Sequence, residues 1–264
     1  MRLSRLDRSG YRLDVEDDFG GPSLDATLWL PHYLPQWSSR ASSAARFTVD
    51  GSILRLRIEW DQQPWCPEWD GWTRVSSLQT GVFSGPVGSR IGQHRFRDEV
   101  VVREAQQREA RYAPQYGLFE CRARALADPA NMVALWMIGL EDEPQQSAEI
   151  CIFEIFGRDV NDRTVGVGMG VHPFGDPSTF DDFERVDLAM DAREFHDYAA
   201  QWTPDRIRFY VDERLVREVA QSPAYPMQLM LNIYEFAEGS ALASPADAYP
   251  KEFAVDWFRA WRPS

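Results

Sequence analysis

The ten residues from Ala148 to Gly157, A-E-I-C-I-F-E-I-F-G, set the strongest condition on any fold this chain adopts, because two carboxylates five residues apart interrupt an otherwise apolar run. β-Branched and aromatic side chains pack well on a pleated surface, so Ile150, Ile152, Phe153, Ile155 and Phe156 predict a strand. Strict alternation puts Glu149, Cys151 and Phe153 on one face and Ile150, Ile152 and Glu154 on the other. Glu154 then lies unpaired among core isoleucines, at a high desolvation cost. One extra residue near Ile152 and Phe153, a β-bulge, removes the conflict. Glu149, Cys151 and Glu154 then share a groove face, with Ile150 and Ile155 behind it.

Two glutamates along one groove suit glycoside hydrolysis with retention. One carboxylate attacks the anomeric carbon, while the other protonates the leaving oxygen and later activates water, the two carboxyls standing about 5–5.5 Å apart. The alternative is a half-exposed strand with two solvated glutamates, and an isolated E-x-x-x-x-E favours that alternative. The surrounding sequence reverses the balance.

That sequence resembles glycoside hydrolase family 16, the laminarinase-like β-glucanases, whose signature is E-x-D-x-x-E on a bulged strand. Glu149, Cys151 and Glu154 occupy its three positions. Flanking pieces agree in order: Asp17-Asp18-Phe19-Gly20-Gly21, Tyr116-Gly117-Leu118-Phe119-Glu120, Leu135-Trp136-Met137, Phe195-His196-Asp197-Tyr198, Trp202-Thr203-Pro204-Asp205, Met230-Leu231-Asn232-Ile233 and Val255-Asp256-Trp257-Phe258-Arg259. The resemblance implies an all-β fold, a jelly-roll sandwich of two curved antiparallel sheets of the concanavalin A-like kind. It also implies a retaining endo-glycoside hydrolase acting on a β-linked polysaccharide of the β-1,3-glucan type, with Glu149 as nucleophile and Glu154 as acid/base. No cofactor is required. Trp136 is expected on the groove floor or in the core, His172 near the cleft, and Trp202 in contact with sugar. By position in the family, Asp18 and Asp256 are candidates for a structural calcium, against the simpler reading of a solvated strand end.

The signature departs from the family at Cys151, where the family has Asp. A thiol between two carboxylates stays neutral and offers Glu149 only a weak S–H donor. A slowed or re-tuned enzyme is therefore expected. A carbohydrate-binding protein with lost catalysis is the alternative, and a transglycosylase a third reading.

Composition narrows the partners. The 264 residues are 44% hydrophobic and 13% aromatic, enough for one sizeable core, and the expected organisation is an N-terminal arm over 1–12 followed by a single domain over 13–264. A net charge of −13 argues against nucleic acid and for a neutral polysaccharide or oligosaccharide. Cys66, Cys121 and Cys151 match no zinc spacing and cannot all pair. No run is long enough to span a membrane, and the opening M-R-L-S-R-L-D-R-S-G-Y-R lacks the apolar core of a leader, which predicts a cytoplasmic monomer.

Along the chain, the loop from Trp29 to Trp37 offers Tyr33 and Trp37 as sugar platforms or core plugs. Phe47 to Val49 and Ile53 to Ile58 form a hairpin. Pro64 to Trp72 carries three tryptophans, at least one of them, Trp72 among the candidates, directed to the cleft. Residues 95–111 are expected as a strand plus an exposed connection. Tyr116 to Ala125 alternates as a strand that buries Cys121, and Met132 to Ile138 reads as a strand covered on both sides. The glycine-laced Val165 to Val171 allows close approach of a ligand or backbone, Asp176 to Glu184 is an acidic loop, and His196 is a packing residue. Asn232 and Tyr234 are expected at the groove end, where Glu235 and Glu238 would alter its polarity.

Overall fold

The computed structural model describes residues 5–236 and 243–264. Its first eight strands are β1 (Tyr11–Asp17), β2 (Arg46–Asp50), β3 (Ile53–Ile58), β4 (Arg74–Gln79), β5 (Gly81–Val82), β6 (Glu109–Ala110), β7 (Gly117–Arg124) and β8 (Asn131–Gly139). The chain continues with β9 (Glu149–Phe156), β10 (Val165–His172), β11 (Asp182–Leu188), β12 (His196–Trp202), β13 (Ile207–Val211), β14 (Arg214–Val219), β15 (Met227–Glu235) and β16 (Lys251–Pro263). One α-helical turn, α1 (Pro67–Asp70), interrupts them. Among the described residues no helix is long and apolar enough to cross a membrane.

Two antiparallel sheets form the jelly-roll sandwich. One runs β14-β13-β12-β7-β16-β3-β2 with β1 also on β16, and the other runs β11-β10-β9-β8-β15-β4. The main core lies between them: Phe119 and Cys121 of β7 and Phe253, Val255 and Phe258 of β16 meet Val133, Leu135 and Met137 of β8 and Leu229, Leu231 and Ile233 of β15. The alternate residues of β8 and β15 do not face water. Met132, Ala134, Trp136, Ile138, Met230 and Tyr234 join a second cluster with Tyr33, Leu34, Trp37 and Trp65 on the outer face of the six-stranded sheet. Both faces being covered explains why β8 and β15 read as continuous apolar runs rather than as alternating strands.

Several expectations are corrected here. Residues 5–12 are not a loose arm: Leu6 N–H donates to the Glu213 carbonyl, Arg8 pairs with the buried Glu120 at 2.5 Å, and β1 already starts at Tyr11. Residues 95–111 contain only the short β6. The rest is irregular backbone over the outer face, and Val100 and Val102 are fully buried there. The acidic stretch at 176–184 runs into β11, an edge strand on β10. Trp202 is no sugar contact. It is 1% exposed between the sheets, on a strand of the sheet away from the cleft, and its indole N–H donates to Ser222 Oγ. Glu235 does not set groove polarity, because it is buried in an ion pair with Arg74 and accepts from the Tyr249 hydroxyl; Glu238 lies outside the described residues.

Candidate active site

The bulge in β9 falls where the residues require it. Phe153 pairs with Leu135 and Cys151 with Trp136 on β8, leaving Ile152 without a partner there, and on the other side Glu154 pairs with Gly168 and Cys151 with Gly170. Ile152 and Phe153 therefore both enter the core, and Glu154 returns to the face that carries Glu149 and Cys151. One side-chain ligand atom from each of Glu149, Cys151 and Glu154 lies within 4.8 Å of the others. The two carboxyls are therefore close enough to act on one bond from the same cleft face.

Both glutamates border a cleft of about 310 Å³ on the outer face of the six-stranded sheet. Burial pushes the Glu149 carboxyl up to about 8, and the neighbouring Glu154 charge adds to the shift. Cys151 acts in the opposite direction: its S–H donates to Glu149 Oε1 at 2.7 Å and favours the ionised form. Burial also raises Glu154, tempered by His172. The thiol of Cys151 is held neutral by burial and by the two adjacent carboxylates, as expected from the sequence. Close carboxyls of this kind titrate as a pair, and the second ionisation is opposed by the first.

Of the predicted contact residues, Tyr33, Trp136, His172 and Tyr234 line the cleft. Trp136 donates through its indole N–H to Asn232 Oδ1 at 2.6 Å. Asn232 itself is fully buried beneath that ring and acts on the cleft only through it. His172 Nδ1 lies 2.7 Å from Asp181 Oδ1 and its ring stacks on Phe183. Trp37 is not a platform: it is fully buried, with its indole N–H on the Gln93 carbonyl. Trp72 is 44% exposed outside the cleft lining, and the tryptophan of that loop which reaches the cleft is Trp65, held by Asp70 Oδ2 at 2.7 Å and set edge-on to Tyr33. Asp18 and Asp256 do not fit a shared calcium site as side chains. Asp18 accepts from the Gly20 N–H in its own turn and Asp256 is ion-paired with Arg122, so each carboxyl already has a partner of its own. Among the described residues the only cluster of three or more acidic, cysteine or histidine ligands is the β9 trio.

Sequence reading missed His94, Phe174 and Asp70, which also line the cleft. His94 and Phe174 further border an adjoining chamber of about 600 Å³ with Glu141 and Arg95. His94 and Phe174 lie on irregular segments with no periodicity, and Asp70 ends the single turn of α1. The one available signal was the clustering of ring-bearing residues, and that does not separate wall from filler, as Trp37 shows.

Comparison with known proteins matches residues 99–259, more than half of the chain, to the model of the glycosyl hydrolases family 16. Over 155 residues the chain is 28% identical to an endo-1,3-1,4-beta-glycanase, ExsH, of Rhizobium meliloti (strain 1021), which covers 57% of this chain and 31% of that protein. It is 31% identical over 169 residues to a beta-glucanase of Rhodothermus marinus, covering 56% of this chain and 57% of the relative. The chain therefore spans well under two thirds of either relative. Among solved structures, the GlcNAcα1-4Gal releasing endo-β-galactosidase from Clostridium perfringens superposes with a TM-score of 0.82 at 30% identity, covering 97% of this chain and 64% of that one.

Proposed function

The chain belongs to the glycosyl hydrolases family 16, and from that premise we propose that it is a retaining endo-glycoside hydrolase of β-linked polysaccharide, working by double displacement through Glu149 and Glu154. The observation that carries the proposal is the bulge that brings the buried Glu149 and the half-buried Glu154 onto one cleft face, with an oxygen of each within 4.8 Å of the other. In the first step the reacting form is the singly ionised pair with its proton on Glu154: a Glu149 carboxylate oxygen bonds to the anomeric carbon as the glycosidic C–O bond breaks, and Glu154 delivers its proton to the leaving oxygen. In the second, Glu154 takes a proton from water, the water oxygen bonds to the anomeric carbon, and Glu149 leaves with its charge restored. Cys151 supports the nucleophile by donating to Oε1, the oxygen it already holds. An S–H is a weaker donor than a carboxylic O–H, so turnover is lower than an Asp at this position would give.

For substrate, the β-1,3-glucan type is the first reading, supported by the glycanase and glucanase relatives. A β-galactoside is the second, favoured by the endo-β-galactosidase match over nearly the full chain. The test is product release from laminarin, mixed-linkage β-glucan and β-galactan. Glu149→Gln should lose at least about 10³-fold in kcat, in line with removal of a nucleophile, and Cys151→Asp should raise it. Wild-type protein that binds these polysaccharides but releases no product, with no rescue by Cys151→Asp, would make the chain a carbohydrate-binding protein on a hydrolase fold.

A further inference from the structure

His94 stands at the heart of the cleft with an unspent ring nitrogen. Its Nδ1 is buried without a hydrogen-bond partner among the described residues and lies 3.9 Å from Glu149 Oε2. That gap is too long for a direct hydrogen bond. It is also no ion pair, since burial, aided by the His172 charge, lowers the His94 ring to about 4 and leaves it neutral at physiological pH. The ring cannot easily turn away. It packs edge-on against Trp136 at 5.1 Å and Phe174 at 4.9 Å. Its backbone is pinned in the left-handed region at φ 48° by the Glu141 carboxyl, which accepts the His94 N–H at 2.5 Å. Glu149 Oε1 is already taken by Cys151, so Oε2 is the oxygen left to meet substrate.

We propose that His94 Nδ1 and Glu149 Oε2 together hold one hydroxyl of the sugar under attack, the hydroxyl on the carbon next to the anomeric centre, and so restrict that position to hexoses with a free 2-hydroxyl. This deepens the hydrolase reading of the same site and rests on it. A single oxygen at about 2.8 Å from both atoms fits across a 3.9 Å gap. That oxygen accepts from one partner and donates to the other, and a neutral imidazole can take either part. When Oε2 attacks the anomeric carbon, the substituent on the adjacent carbon is the one that falls within reach of the same oxygen. A 2-acetamido group replaces that hydroxyl by an amide N–H, which can donate to Oε2 but cannot accept from His94 Nδ1. His94 is thus a specificity-determining residue for glucose- or galactose-type sugars against 2-acetamido sugars at the cleavage position.

The experiment compares kcat/KM for 4-nitrophenyl glycosides of laminaribiose and of β-1,4-galactobiose with their analogues carrying 2-deoxy or 2-acetamido sugars at the cleavage position. Wild type, His94→Phe and His94→Asn are assayed. Phenylalanine keeps the ring contacts and removes the nitrogen. Asparagine restores a polar atom near Nδ1 and tolerates the left-handed backbone. The wild type should lose at least about tenfold on the 2-deoxy substrates, the range of one hydrogen bond to a charged group, and should not cleave the 2-acetamido ones. In His94→Phe the 2-deoxy penalty should shrink to within about threefold, and His94→Asn should recover part of it. A 2-deoxy penalty unchanged in His94→Phe, or wild-type cleavage of the 2-acetamido substrates, overturns the role of His94 while leaving the hydrolase intact. No cleavage of either parent glycoside, or cleavage that survives Glu149→Gln, overturns both readings.

Discussion

At the scale of single residues, the site is built against the stability of the fold. Burial pushes the carboxyls of Glu149 and Glu141 up to about 8 in the folded chain, Glu149 as one of a coupled pair with Glu154, against an ordinary 4.5 in the unfolded chain. Below about pH 4.5 both states are protonated and the groups cost nothing extra. Between about 4.5 and 8 the unfolded chain binds fewer protons than the folded one, so stability falls as pH rises, by up to about 1.4 kcal/mol per pH unit for each group. Glutamine at 149 keeps the acceptor for the Cys151 S–H and removes the ionisation. Glu149→Gln should therefore unfold at about the same temperature as wild type near pH 4.5 and at a higher one at pH 8, while a slope due to Glu141 persists. Thermal unfolding across this range checks it, and a constant gap would mean Glu149 is not held protonated. The same conflict made the site legible in the sequence. Glu154 sits where alternation would bury it among isoleucines, so the bulge at Ile152 was predictable from residue chemistry. The neutral thiol at 151 was equally readable, because burial first and then the two flanking carboxylates disfavour the thiolate.

At the scale of elements, legibility follows burial on both faces. β8, β9, β10 and β15 read as strands because their apolar runs are covered from either side. β11, D-F-E-R-V-D-L, has one edge free and most side chains in or near solvent, so it looks like acidic loop. What attaches it is on the other strand. Gly170 has φ 148°, and a Cβ there would lie 2.1 Å from the Asp182 carbonyl oxygen and 2.6 Å from Phe183 Cα, both backbone atoms that cannot yield without moving β11. Gly170 also pairs with Cys151 across β9. Gly170→Ala should cost about 3 kcal/mol or more and raise hydrogen exchange in β11. Because Phe183 of β11 stacks on His172 at 4.5 Å, activity should fall in the fraction that stays folded. Exchange in β11 equal to wild type would show that the strand does not depend on this close approach.

At the scale of the whole molecule, the sandwich between the sheets is the predictable half and the cover over the six-stranded sheet is not. That cover is made of irregular segments around Tyr33–Trp37, Trp65 and Val100–Val102, where no period marks an inward residue. Tyr33 and Trp37 lie four residues apart on one loop and resemble each other as sugar platforms, yet Tyr33 borders the cleft and Trp37 is sealed beneath the cover. Gly92 closes over the Trp37 ring so tightly that a Cβ would stand 3.0 Å from it. The loop carrying His94 is therefore clamped to the loop carrying Tyr33 by a ring that touches no substrate. Emptying that position leaves a void under both cleft walls, and Trp37→Ala should cost about 3–5 kcal/mol and reduce kcat as His94 loses its place. Trp72→Ala removes a ring that is 44% exposed and outside the cleft lining, and should leave both the unfolding temperature and kcat/KM close to wild type. Denaturant unfolding and kinetics on the same pair of variants separate the two. A Trp72→Ala protein that keeps its stability but loses substrate affinity would extend the binding surface beyond the cleft, onto the loop after α1.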